Sequence, residues 1–248
     1  MRRFADLHLK IPRAGLKELE GMLRLASDLG YSTVAVSFAP SKREDVKQAR
    51  TMCSDLGLDL VTRVDLEPKN VDGLLKSLRQ LRQRFEIIAV RCLTKSVARQ
   101  AGKDRRVDLL NFPTDAAERE RLYFDRQEAV LASGALSALE LNASTLLRAA
   151  SSNRARLLST MRREVEEARR RGVPLILSSG AESPYGMRAP RDLASLLTLL
   201  DVDLESALDA VSEEPLRIVE RNREKLEEGF ISPGVRLIKV DRKWSLAG

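Results

Sequence analysis

Aromatic residues are scarce in this chain: 4% of 248 residues, among them one tryptophan and three tyrosines. Proteins that hold single-stranded nucleic acid without sequence preference stack bases on aromatic platforms, so that mode of binding is not expected. Histidine occurs once, as His8, and cysteine twice, as Cys53 and Cys92, with neither a CxxC pair nor a metal-ligand spacing. A multinuclear hydrolytic centre needs several imidazole and carboxylate ligands. One histidine cannot supply them, so no metal and no cofactor is expected. Ser178 and Ser179 precede Gly180 at a strand end. G-x-S-x-G is nevertheless missing, and His8 would be the only histidine base for a triad. No G-x-G-x-x-G follows the first strand, which argues against a dinucleotide fold. No apolar run approaches the roughly 20 residues of a membrane span. Met1-Arg2-Arg3 leads into a segment with Asp6, His8 and Lys10, unlike a signal peptide. Two lone cysteines fit reduced core thiols, and the expectation is a soluble, cytoplasmic protein without membrane contact.

What is present is an apolar fraction of 43%, enough to bury a core, and a basic balance. Lys plus Arg number 43 and Asp plus Glu 36, a net charge of +7. That balance permits a nucleic-acid partner without requiring one.

Short apolar runs alternate with helical patterns. Strands are expected at Phe4 to Leu9, Thr33 to Phe38, Leu58 to Val64, Ile87 to Arg91, Val107 to Leu110, Ala138 to Leu141 and Leu175 to Ser178. Leu16, Leu19, Leu23 and Ala26 recur at helical spacing before Gly30. Ser41 is placed to cap a helix through Leu56, and Val71 to Arg84 and Thr94 to Ala101 follow. Asp115 to Ala132 reads as one helix, and Ser144 to Arg171 as a long one broken at Ser151-Ser152-Asn153. Further helices are expected at Asp192 to Leu200, Leu204 to Val211 and Pro215 to Glu227, with an edge strand at Val235 to Val240. Seven strands alternating with helices at roughly 30-residue spacing argue for a parallel sheet. A single-domain (β/α) barrel over 1–248, its tail from about residue 228 peripheral, is preferred to an open doubly wound sheet.

Asp6, His8 and Lys10 alternate to one face of a strand. The spacing resembles DxHxH, the opening metal motif of PHP phosphoesterases, with lysine in place of the second histidine. A metal-dependent phosphoesterase of that type is therefore the alternative reading. A Schiff-base enzyme using Lys10 or Lys95 is a further one. The loop Gly172 to Asp192 runs from an apolar strand through Ser178-Ser179-Gly180-Ala181 to Arg188, Pro190 and Arg191 at a helix start. Such loops after a parallel strand carry the sites of α/β folds. Arginine forks beside a helix N-terminus suit phosphate, and an internal salt bridge is the other reading. In a barrel, Lys10, Arg63, Arg91, Lys95 and Arg188 would converge on one rim. The segment Arg154 to Arg171 holds seven arginines interleaved with Glu164, Glu166 and Glu167. It reads as a solvated, salt-bridged face first and a phosphate-tracking surface second.

Ser178 to Ala181, Arg188 to Asp192, Glu214-Pro215 and the helix reaching Arg221-Asn222 together resemble the archaeal ribonuclease P protein component 3 family. Asp6, Gly30 and Val107 to Leu110 are similar to that family's order of elements, whereas Asn111 to Ala143 matches poorly. The resemblance implies a TIM-barrel-like, PHP-related α/β fold. It also implies a subunit of the ribonuclease P holoenzyme, an endoribonuclease in which RNA removes the 5′ leader of precursor tRNA. Partners would be ribonuclease P RNA, precursor tRNA, protein component 2 and other holoenzyme proteins. The isolated chain would carry no catalytic residues. Candidate RNA-binding residues are Lys10, Arg63, Arg91, Lys95, Ser179, Arg188 and Arg191.

Overall fold

Seven short segments rich in Val, Ile, Leu and Ala pair side by side in chain order, all parallel. They are β1 (Ala5–Lys10), β2 (Thr33–Ser37), β3 (Asp59–Leu66), β4 (Ile87–Arg91), β5 (Leu109–Asn111), β6 (Ala138–Asn142) and β7 (Leu175–Ser178). Their apolar runs lack alternation because both faces are buried, as parallel strands between a core and covering helices require. The computed structural model describes residues 2–227, 229–232 and 235–236.

The sheet curls into a barrel that closes without a regular eighth strand. Near the mouth, Lys10 N–H donates to Ala181 O, and Leu9 bridges Ala181. At the opposite end, Ala5 N–H donates to Val211 O and Leu177 N–H to Ala210 O, so residues 210–211 fill the gap between β7 and β1. Inside, Leu7, Val61, Ile87, Leu109 and Ile176 pack with the small Ala5, Ala35, Ala89 and Ala138.

Helices α1 (Leu16–Asp28), α2 (Arg43–Asp55), α3 (Val71–Leu81) and α4 (Lys95–Lys103) bury leucine and alanine faces against the outer sheet surface. After them come α5 (Ala116–Arg121), α6 (Arg126–Ala135), α7 (Ala143–Arg148) and α8 (Ser151–Arg170). Then follow α9 (Pro190–Thr198), α10 (Leu204–Asp209) and α11 (Glu213–Leu226). The last helix closes the bottom of the barrel: Leu216, Ile218 and Val219 join the interior cluster. Its polar residues bind strand starts, Arg221 to Asp108, Asn222 to Glu86 O and Arg223 to Glu86 and Asp59. Glu214-Pro215 and Arg221-Asn222 are thus parts of a basal plug.

Several boundaries differ from expectation. The single helix expected over Asp115 to Ala132 is two, because two aspartates each start one. Asp115 accepts from Ala117 and Glu118 N–H, and Asp125 forms a reciprocal capping box with Glu128. The break in the long helix lies at Ala149-Ala150, both extended, so Ser151 to Asn153 open α8 instead of interrupting it. Ser41 does not cap α2; Lys42 occupies that position, without a side-chain cap bond. Of the expected edge strand, Val235–Arg236 pairs antiparallel with Phe230–Ser232 in a separate two-stranded sheet. Residues 237–240 lie outside the described residues.

Candidate functional site at the barrel mouth

A register shift in β1 decides what faces the mouth. Asp6 pairs with Val34 but Leu9 with Val36, so one extra residue is accommodated between them. Ala5 and Leu7 point into the apolar interior, and beyond the shift His8 and Lys10 line the mouth. Asp6 does not share their face, contrary to the strict alternation expected for residues 6, 8 and 10. Its carboxylate is fully buried and accepts from the backbone N–H of His8 and of Ser179, at 3.0 and 3.1 Å. Burial raises its pKa above the usual carboxylate value.

Beneath the mouth stands Arg63, fully buried despite its size. It donates to both oxygens of Glu140 at 2.6 and 2.7 Å, to Asp65 Oδ1 at 2.7 Å and to Leu7 O at 2.6 Å. Burial opposes the charge on all three side chains. Asp65 and Glu140 outweigh it at Arg63, whose pKa is raised, and Arg63 outweighs it at both carboxylates, which are held down. Ser178 Oγ also donates to Glu140, at 2.6 Å, and Ser37 Oγ to Asp65.

From Glu140 a directed chain of hydrogen bonds climbs to the mouth. Asn111 Nδ2 donates to Glu140 Oε2 at 2.6 Å, and Asn142 Nδ2 donates to Asn111 Oδ1 at 2.8 Å. Asn142 therefore presents Oδ1 to His8 Nδ1, 2.6 Å away, and Nδ1 must be the donor. The free end of the chain is His8 Nε2, which is buried without a hydrogen-bond partner and lies 3.5 Å from Asp65 Oδ2.

Above this layer opens a cavity of about 760 Å³. Ile11, Ala39, Phe112 and Thr114 line it, and Lys10, Arg91 and Arg148 stand at the rim with Glu67 and Glu182. Arg91 pairs with Glu67 at 2.9 Å, whereas Lys10 and Arg148 share the single carboxylate of Glu182, at 2.7 and 3.2 Å. Those two hydrogen bonds pull Glu182 down to about 2. Gly180 sits at φ +62°, and a Cβ there would meet Ser144 Oγ at 2.6 Å, so only glycine lets the β7 loop pass this close to α7.

The loop bearing Arg188 and Arg191 is tied down at its backbone. Tyr31 Oη donates to Arg188 O at 2.9 Å, and the Arg188 side chain turns back to Tyr185 O and Met187 O. Both arginines are exposed, and neither forms an ion pair within the described residues, so the internal salt bridge considered for Arg191 is not formed there.

The expected convergence on one rim is partial: Lys10 and Arg91 reach the mouth. Arg63 lies below it with its donors consumed, and Ser179 is fully buried, accepting from Ala181 N–H at 3.1 Å. Neither has surface to offer an RNA. Lys95 instead ties α4 to the segment before α6, through Tyr123 O, Asp125 and Glu128 at 2.7 to 3.2 Å. An amine so held is no free Schiff-base nucleophile. Sequence reasoning missed Asp65, Asn111, Glu140 and Asn142, whose roles depend on contacts between distant strands. It also missed Arg119, which turns inward to Glu164 of α8. Of the α8 arginines, Arg156, Arg162, Arg169 and Arg170 pair with Glu120, Asp201, Asp203 and Glu166, as the salt-bridged reading expects, whereas Arg154 donates to Leu146 O and Arg163 to Tyr123 Oη.

Among the described residues no group of three or more His, Cys, Asp or Glu side chains is placed to bind a metal. The cation that balances the inward carboxylates is Arg63 itself.

Solved structures with this fold differ in kind. One is a cryo-EM structure of archaeal ribonuclease P with mature tRNA, aligned with a TM-score of 0.82 at 22% identity over 96% of this chain and 100% of that one. Another is the organophosphorus hydrolase of Deinococcus radiodurans, with a TM-score of 0.53 at 12% identity over 88% and 92%. In sequence, ribonuclease P protein component 3 of Methanosarcina mazei is 28% identical over 242 residues, 95% of this chain and 96% of that protein. The family model for RNase P subunit p30 matches residues 3–227, and the chain belongs to that family.

Proposed function

We propose that this chain is a protein subunit of ribonuclease P, supporting the catalytic RNA in removing the 5′ leader from precursor tRNA. The observation that carries the reading is the family match over residues 3–227, nearly the whole chain. The interior is consistent with it: the inward carboxylates Glu140 and Asp65 are engaged by Arg63. The chain contributes binding and assembly, and the hydrolysis belongs to the holoenzyme. Its partners are the ribonuclease P RNA, precursor tRNA and the other holoenzyme proteins, protein component 2 among them. No helix of the described residues is long and apolar enough to cross a membrane, in keeping with a role in the cytoplasm.

Of the candidate contacts, Arg188 and Arg191 are the best suited to RNA phosphate. Both are exposed, form no ion pair among the described residues and lie at the N-terminus of α9, whose partial positive charge adds to theirs. Lys10 and Arg91 are half-exposed and can exchange their carboxylate partners for phosphate. The test is reconstitution of the RNA and the other proteins with and without this chain. Leader removal should become slower, or need more magnesium, when the chain is left out. Unchanged cleavage and RNA affinity would overturn the proposal. Arg188→Glu with Arg191→Glu should weaken assembly in a salt-dependent manner while leaving the fold intact.

A further inference from the structure

Beyond the subunit role, we infer that the barrel mouth is a binding site for a mononucleotide, taken free or as one unpaired nucleotide of an RNA. Four observations converge on this ligand class. The cavity, about 760 Å³, lies in the range of small-ligand sites. Its floor is polar, lined by His8, Asp65, Asn111 and Asn142. His8 Nδ1 is committed to Asn142, and Nε2, 3.5 Å from Asp65 Oδ2, has no hydrogen-bond partner and lies just under the cavity surface, closed to solvent. Leaving such an atom unsatisfied is costly. With the proton on Nδ1, Nε2 and the Asp65 carboxylate both accept, so a ligand group with two donor hydrogens, reached by a small outward shift of the His8 ring, would satisfy both. The exocyclic amine of a base is such a group.

Ile11, Ala39 and Phe112 are apolar residues of the same lining and can contact the carbons of a base or sugar. The rim carries the complement to a phosphate. Lys10 and Arg148 share Glu182, so that side of the mouth holds two cations for one carboxylate. Both pairs are largely exposed, and separating them to bind phosphate costs little. Amine-bearing base, ring carbons and single phosphate are together the features of a nucleotide. A bare anion would leave the floor and the apolar lining unused.

The chain of amides below explains why the floor is rigid. Arg63 orients Glu140, Glu140 orients Asn111, Asn111 orients Asn142, and Asn142 sets the protonated nitrogen of His8. The side chain is therefore ordered before any ligand arrives, which lowers the entropic cost of binding.

The experiment titrates the full chain with AMP, GMP, CMP and UMP by calorimetry. The corresponding nucleosides, inorganic phosphate and a short single-stranded oligonucleotide serve as further arms. Saturable binding of at least one mononucleotide is expected, weakened about tenfold in His8→Phe and in Arg148→Glu. The second variant is on the exposed rim and keeps the proposal testable if the first does not fold. Competition by the oligonucleotide would make an RNA nucleotide the source, and its absence a free one. No saturable binding at millimolar mononucleotide overturns the inference. So does phosphate binding as tightly as the nucleotide, or equal affinity in wild type and both variants. The titration uses the isolated chain, so its failure leaves the ribonuclease P reading, tested by reconstitution, untouched.

Discussion

Replacing Arg63 with methionine separates a structural arginine from an RNA-binding one. The guanidinium is fully buried and donates to Glu140, Asp65 and Leu7 O at 2.6 to 2.7 Å. Methionine restores much of the volume and none of the charge, so Glu140 is left buried without a cation. Breaking a buried ion pair from one side costs about 3–5 kcal/mol, mostly for the stranded partner. For a domain of this size that corresponds to a fall in Tm of roughly 6–20 °C. Urea or thermal unfolding at pH 7 measures it. Adding Glu140→Gln to Arg63→Met should recover part of the loss, because the stranded charge is gone. The sign of the pH effect is also determined. In the wild type Glu140 is held below its usual pKa, so its contribution is present above the unfolded value and lost as pH falls. In Arg63→Met the carboxyl has lost its cation and is most easily folded as the neutral acid. The stability gap between the two proteins should therefore narrow as pH is lowered from 7 to 5. A gap under about 1 kcal/mol at pH 7 would refute the structural role, given the usual cost of a stranded charge. So would a variant of wild-type stability that has lost RNA affinity.

Other outcomes follow from the same geometry. Tyr31→Phe removes the hydroxyl that holds Arg188 O and should cost about 1 kcal/mol, with faster amide exchange over residues 182–188; unchanged exchange would show that the loop is held otherwise. Gly180→Ala combines a left-handed backbone with a 2.6 Å approach to Ser144 Oγ, and a loss of about 2 kcal/mol or more is expected in thermal unfolding. Ser144→Ala added to it should return only the part due to that contact, because Asn142 Oδ1 and Cβ also stand 2.9 and 3.0 Å from the new Cβ, and full recovery would argue against backbone strain. Burial, aided by the hydrogen bond to Asp125, pushes Glu128 up to about 7 from its ordinary 4.5. Its stabilisation is therefore complete below pH 4.5 and lost as pH rises through 7. The wild type should lose stability relative to Glu128→Gln between pH 5 and pH 8, and an equal difference at both pH values would contradict the shift.

The strands were legible because each is an apolar run bounded by Gly, Pro or charge, and a chain of seven such runs with helices between them folds parallel. Which residues of a run point inward was not. A strand buried on both faces has no alternation to read, and the register shift between Asp6 and Leu9 leaves no mark in the sequence. That is why Asp6 was grouped with His8 and Lys10. Charge was legible in amount but not in partner. Arg63 finds Glu140 77 residues away and Lys10 finds Glu182 172 residues away, distances at which no local spacing rule applies. Arginines listed by sequence as surface contacts thus include one at the centre of the barrel. The helix boundaries failed where a side-chain cap decided them, at Asp125, although the Asp-x-x-Glu signature of that cap is present in the chain.

Arg63 decides how the inward carboxylates of this mouth are balanced. Carboxylates drawn to the strand ends of a barrel repel one another and must be balanced. A metal would do so while leaving coordination positions open for water, and that open position is what makes it a catalyst. Arg63 balances Glu140 and Asp65 with hydrogen bonds alone and leaves no open position. His8 ends a chain of oriented amides, with one nitrogen committed to Asn142 and the other 3.5 Å from Asp65 Oδ2. A mouth whose polar groups are fixed in this way by Arg63 is consistent with the proposed role of a subunit that helps hold RNA in place for chemistry done elsewhere in the particle.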